Sequence, residues 1–167
     1  MHRTIFTTPG VNTVLRLLSR GFLRATGWTL AGSLPADQPK CVLIAAPHTS
    51  NWDLPYTLMV AFALRLDIHW MGKRQLFRGP LGLLMRWLGG IAVNREQASN
   101  LVAASAQALR EADGAVQLVV PPEGTRSKTR HWKTGFYWIA REAGVPIVMA
   151  YMDYRSEERR VGKECRL

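Results

Sequence analysis

Lys40-Cys41-Val42-Leu43-Ile44-Ala45-Ala46-Pro47-His48-Thr49-Ser50-Asn51-Trp52-Asp53 passes from an unbroken apolar run to a polar cluster at a single proline. Cys41 to Ala46 has the length, the branched residues and the flanking turn signals of a buried strand. Asp53 opens a segment through about Leu64 in which Leu54, Leu58, Ala61, Phe62 and Leu64 are apolar, which predicts a helix. A buried strand that feeds a helix through a short polar connection sets the pattern for the whole chain.

That alternation continues downstream. Ile68 to Met71, Ile91 to Val93, Ala115 to Val120 and Val145 to Met152 read as strands. Pro80 to Leu88, Ala98 to Ala112 and Gly135 to Ala143 read as helices, the second stopped by Gly114, and Pro121 to Lys133 reads as a long loop. Upstream, Trp28 to Gly32 is a short strand candidate before the turn-like Ser33 to Pro39. The fold class expected is α/β: one layered domain with a mainly parallel or mixed sheet flanked by helices. Such sheets carry their sites beyond the strand ends.

An amphipathic helix from about Val11 to Thr26 precedes the domain. Val11, Val14, Leu15, Leu17, Leu18, Phe22 and Leu23 recur at helical spacing, and Arg16, Arg20 and Arg24 follow one another every fourth residue on another face. Two placements fit: docked on the protein's own core, or lying in a bilayer interface with arginines toward anionic headgroups. Trp28 and Trp87 are candidates for the membrane side.

The 167 residues suit one domain, and 47% hydrophobic residues supply a core. A formal charge of +10 points to polyanionic partners: phosphates, an acidic bilayer face or nucleic acid. Nucleic acid is disfavoured, because no helix-turn-helix, zinc finger or RNP-like aromatic string is present. Cys41 and Cys165 form no disulfide framework, so a reducing compartment is expected, with Cys41 a small buried hydrophobe. Apolar stretches are broken by Arg or Pro before the ~20 residues a spanning helix needs. Arg16, Arg20 and Arg24 likewise break any secretory-signal core.

The residues from Arg155 onward lack apolar periodicity and resemble the in-frame translation of a sequencing adapter. We therefore expect 1–34 to be the interface helix and its lead-in, 35–154 the main domain cut short at its C-terminus, and 155–167 a non-native tail. Leaving out the tail's five basic and three acidic residues still leaves +8 on the body.

His48 and Asp53 form an H-x4-D pair at a strand end. An imidazole suits a general base, and a carboxylate at a helix start can bend back to fix its tautomer. An isolated pair of this kind is more often a strand-end histidine and a helix cap. Pro121-Pro122-Glu123-Gly124-Thr125-Arg126-Ser127-Lys128 shifts that balance by adding two cations, two hydroxyls and a glycine that permits close backbone approach. Glu123 is expected to accept from a substrate hydroxyl or to orient Arg126. Arg95 in Gly90-Ile91-Ala92-Val93-Asn94-Arg95 and Lys133 before Gly135 offer further cations at the same sheet edge. His69 and His131 have no metal-ligating neighbours at zinc spacing, and no metal is expected.

At these residues the chain resembles the glycerolipid acyltransferases typified by 1-acylglycerol-3-phosphate acyltransferase. His48 to Asp53 is similar to the first motif of that family, Gly90 to Arg95 to the second, Glu123-Gly124-Thr125-Arg126 to the third and Val145-Pro146-Ile147 to the start of the fourth, in the same order and spacing. The resemblance runs from about Lys40 to Tyr154. It implies transfer of a fatty acyl group from acyl-CoA or acyl carrier protein, as co-substrate and without a cofactor, to a lysophosphatidate-type lysophospholipid. The implied location is the cytoplasmic face of a membrane, held peripherally or embedded in the interface.

By position, the resemblance makes His48 the base and Asp53 its partner. It gives the phosphate-bearing acceptor to Arg95, Glu123, Gly124 and Arg126, with Thr125 and Lys133 beside them, and the acyl site to Pro146. Asn94 stands where an Asp is common, Pro121 where Phe usually precedes Pro-Glu-Gly, and Ala150 where another Pro often occurs. The chain has no G-x-S-x-G elbow, which argues for direct attack rather than a serine acyl-enzyme. The competing expectation is a non-catalytic basic module that binds membranes peripherally.

Overall fold

The computed structural model describes residues 3–34, 39–48, 50–93, 98–125, 127, 129–153 and 159–161. Its centre is β2 (Lys40–Ala45), paired in parallel on one side with β5 (Val116–Val120) and on the other with β6 (Ile147–Ala150). β3 (Ile68–Lys73) and β4 (Gly90–Val93) complete a five-stranded sheet of order β4-β3-β5-β2-β6. Every pairing in this sheet is parallel, so the mixed alternative drops out. Each connection carries a helix, as parallel neighbours require: α2 (Asp53–Leu64), α3 (Gly79–Trp87), α4 (Ala98–Glu111) and α5 (Gly135–Ala143).

Register decides where the site falls. Ile44 lies opposite Val120 and Ala45 opposite Ala150, so β2, β5 and β6 end together and release His48, Pro121 and Tyr151 at one edge. Alternation along β2 and β5 builds two cores, one on each face. Leu43, Val119 and Ile68 pack with Phe62 of α2 and with Ile5 and Phe6 of the N-terminal segment. Val42, Leu118 and Val120 pack with Leu109 of α4 and Ile139 of α5 on the other side. Burying side chains of this size contributes about 1.5–3 kcal/mol each, which anchors the strand that carries His48.

Gln117 is a buried polar residue inside β5, and it is satisfied locally. Its Oε1 accepts the Asp67 N–H at 2.7 Å, and its Nε2 donates to Pro39 O at 2.7 Å. It thereby ties the starts of β2 and β3 to β5.

α1 (Val11–Ala25) matches the expected helix and packs one side on the domain through Val11, Leu15 and Leu23, leaving other apolar residues outward. Leu23 and Ser19 are buried, whereas Val14, Leu17, Leu18 and Phe22 are exposed. Trp28, a candidate for the membrane side, is instead a core residue packed on Val60 and Ala63, with its ring centroid 5.0 Å from that of Tyr56 at a tilt of 37°. Trp87 is half-buried, with its indole N–H donated to Thr8 Oγ1, because the N-terminal segment folds back over it. No helix among the described residues is long and apolar enough to cross a membrane. β1 (Trp28–Leu30) pairs in parallel with β7 (Arg159–Val161), a short strand within the segment expected to be a non-native tail.

Candidate active site

His48 leaves the end of β2 after Pro47, and its ring is partly open to solvent. Nδ1 lies 2.9 Å from Asp53 Oδ2, while the Asp53 side chain is only 6% exposed. Asp53 is the first residue of α2, where the helix dipole favours a carboxylate. Its Oδ2 also accepts the Ser50 N–H at 2.9 Å. Ser50 Oγ accepts the Trp52 N–H at 3.0 Å, closing the turn between His48 and the helix. The N-cap position of α2 is filled by Trp52, without a side-chain cap bond. An Asp on Nδ1 holds the proton there, leaving Nε2 as the free acceptor.

Glu123 reaches across the sheet edge to the His48 loop. Its Oε2 accepts the backbone N–H of His48 at 2.7 Å, so the loop after β5 grips the loop after β2. A charged acceptor on a backbone donor is short and strong, and 75 residues of separation leave no trace of it in local pattern. Pro122 beside it is fully buried and its carbonyl accepts the Lys133 N–H at 2.8 Å, which folds the long loop back over itself.

Gly124 has φ +64°, and a Cβ there would meet the end of the Lys133 side chain, with Cδ 2.9 Å and Nζ 3.0 Å away. The glycine therefore leaves room for the Lys133 side chain to lie against the loop at Gly124. Arg95 and Arg126 lie outside the described residues, as does Asn94. Pro146 is not brought to this edge: it precedes β6 at the opposite end of the sheet, where its carbonyl accepts the Val42 N–H at 3.0 Å. Val148, Met149 and Ala150, further along the same strand, reach the site instead.

A cavity of about 910 Å3 opens beside His48 and Asp53, at the upper end of the roughly 300–1,000 Å3 usual for ligand pockets. Its lining joins the polar His48, Ser50, Asp53 and Thr125, with the His48 ring partly open to solvent, to the apolar Leu43, Val60, Leu64, Ile68, Val119 and Val148. The segment Gly72 to Leu76, which sequence reading left without a role, supplies another wall. Among the described residues, no cluster of three His, Cys, Asp or Glu could hold a metal ion. Cys41 is buried in β2, and burial pushes its thiol up to about 12.

An imidazole with a free acceptor at the mouth of an apolar cavity is an arrangement for deprotonating a hydroxyl beside a long hydrocarbon chain. The acyltransferase family model matches residues 31–153. The chain belongs to the acyltransferase family. It is an acyltransferase whose matched region holds every strand of the main sheet and all the motif residues, and leaves α1 outside. The fold is similar to the crystal structure of the 1-acyl-sn-glycerophosphate (LPA) acyltransferase, PlsC, from Thermotoga maritima. The TM-score is 0.60 at 18% sequence identity, over 93% of this chain and 69% of that one. No curated protein sequence matches the chain at a significant level.

Proposed function

We propose that this acyltransferase moves a fatty acyl group from an acyl thioester, acyl-CoA or acyl carrier protein, to the free hydroxyl of a lysophosphatidate-type lysophospholipid. The observation that carries this reading is the 2.9 Å contact of His48 Nδ1 with Asp53 Oδ2 at the mouth of the apolar cavity. The name of the Thermotoga maritima relative agrees with the acceptor class.

In the proposed reaction His48 Nε2 takes the proton of the acceptor hydroxyl as its oxygen attacks the thioester carbonyl. The tetrahedral intermediate collapses, the C–S bond breaks, and the departing thiolate recovers the proton from the imidazolium, giving an ester and a free thiol. Asp53 holds the tautomer and balances the imidazolium. Base catalysis supplies roughly 10²- to 10⁴-fold, and positioning supplies much of the remainder. No acyl-enzyme is needed, since the thiol of Cys41 is buried and protonated.

Lys133 is assigned to the acceptor phosphate together with Arg95 and Arg126, with Gly124 and Thr125 shaping the same rim and Glu123 holding the His48 backbone. The acyl chain lies along Leu43, Ile68 and Val148. Residues 35–154 carry this chemistry. In this reading residues 1–34 dock on the cytoplasmic face of an anionic membrane through the exposed Leu17, Leu18 and Phe22, and 155–167 are extraneous.

The test is incubation with mixed thioester donors and lysophospholipids, followed by identification of the new lipid by mass. A diacyl phospholipid and an equal amount of free thiol are expected, both absent with His48→Ala. Vesicle binding with no acyl product from any donor and acceptor pair would favour the non-catalytic module.

A further inference from the structure

α3 keeps three of its leucines outward rather than on its own protein. Its one fully buried residue is Gly82, where a Cβ would run into the backbone of Phe77, with Met85 and Trp87 half-buried beside it. The residues it turns outward are Leu81, Leu83 and Leu84, which are 51%, 70% and 45% exposed. An apolar patch of that kind marks a surface that something else covers. The cations around it show what: from 68 to 93 the chain carries Lys73, Arg74, Arg78 and Arg86, all exposed, and no acidic residue.

Position narrows the choice further. Met85 of α3 and the preceding Lys73, Gln75 and Leu76 line the cavity that opens at His48, and Leu76 is itself exposed. The end of α3 is also tied to the segment leading into α1, since the Ile5 N–H donates to Trp87 O at 2.7 Å. The two helices with outward apolar faces are thus joined at one end.

We propose that the outward face of α3 is a docking surface for an anionic lipid bilayer, placed on the rim of the cavity so that lipid enters directly from the membrane. Leu81, Leu83 and Leu84 enter the interface, while Arg74, Arg78 and Arg86 meet anionic headgroups. This purpose rests on the cavity being the lipid site; the docking is read without turnover.

The experiment is co-sedimentation of the full chain with zwitterionic vesicles and with vesicles containing an anionic phospholipid, for the parent and for L81S/L83S/L84S and L83S. The parent is expected to bind the anionic vesicles. With each leucine worth roughly tenfold, the triple variant weakens that binding by about 1,000-fold, and L83S by about tenfold. Both variants keep the parent's thermal midpoint and its rate on a short-chain, water-dispersed lysolipid. L83S, altered at the most exposed position, carries the test if the triple variant is poorly folded. Unchanged vesicle affinity in a folded variant overturns the proposal. So does a parent dimer that the triple variant dissociates without loss of vesicle affinity, which would give the face to a second copy. Absence of acyl product from a parent that binds vesicles would instead sink the acyl-transfer reading and leave the docking surface standing.

Discussion

The carboxylate of Glu123 accepts the backbone N–H of His48 at 2.7 Å, so the loop after β5 fixes the backbone that presents the imidazole. Glu123→Gln keeps an acceptor and is expected to retain most of the turnover. Glu123→Ala strands a partly buried donor at a cost of about 1–3 kcal/mol. It should lower kcat far more than it raises the KM for the acceptor. Kinetics of the two variants check this, and a Gln variant as impaired as Ala would mean that the charge itself is used in the reaction.

Asp53→Asn keeps size and shape but lets an amide donate where the carboxylate only accepted, which favours the wrong His48 tautomer. A loss of roughly 10²- to 10⁴-fold in kcat is expected, with the fold intact. Circular dichroism and steady-state rates together decide; a rate within tenfold of the parent would remove Asp53 from its role.

Gly124→Ala places a methyl against the Lys133 side chain at a backbone angle that costs an L-residue about 1–2 kcal/mol. The flexible lysine moves aside, so the expected outcome is a higher KM for a phosphate-bearing acceptor, shared by Lys133→Met. Equal KM values in parent and both variants would take Lys133 off the phosphate.

Asp67 is held above the usual carboxylate range by burial, against the opposing pull of His69 and the Thr4 hydroxyl. A raised folded value means that its favourable contribution is complete below the unfolded value and is lost as pH rises through the folded one. Asp67→Asn, which still accepts from Thr4, should therefore melt higher than the parent at pH 8. That advantage should shrink as pH falls into the carboxylate range. Thermal unfolding at both ends is the measurement, and a less stable variant at pH 8 contradicts it.

Cys41, raised to about 12 by burial, carries on the order of 10⁻⁴ thiolate at pH 8. Iodoacetamide should leave the Cys41 peptide unmodified in the native protein and alkylate it in guanidinium, as read by mass. Rapid native alkylation would mean that β2 opens readily.

The elements were legible because their signals are local. The apolar run Cys41 to Ala46, the helix opened by Asp53 and the Gly114 stop all depend on neighbours a few residues away. The structure returns β2, α2 and α4 within a residue or two of where the pattern puts them. The 3-10 turn Arg74–Phe77 escaped notice because Lys73-Arg74-Gln75-Leu76 has no period, yet it supplies a cavity wall. Trp28 misled because an indole beside an amphipathic helix looks interfacial, and whether it is depends on Val60 and Ala63 of α2.

What the chain determines by itself is the alternation of strands and helices and the kinds of groups at the strand ends, because period and spacing are properties of neighbouring residues. What only the tertiary structure decides is the arrangement of those groups. The parallel register of β2 with β5 and β6 brings Glu123 under His48 and leaves Pro146 at the far end. The close approach at Gly82 turns the leucines of α3 outward. Such contacts join residues far apart in the chain, and their energy is set by geometry that no local pattern encodes.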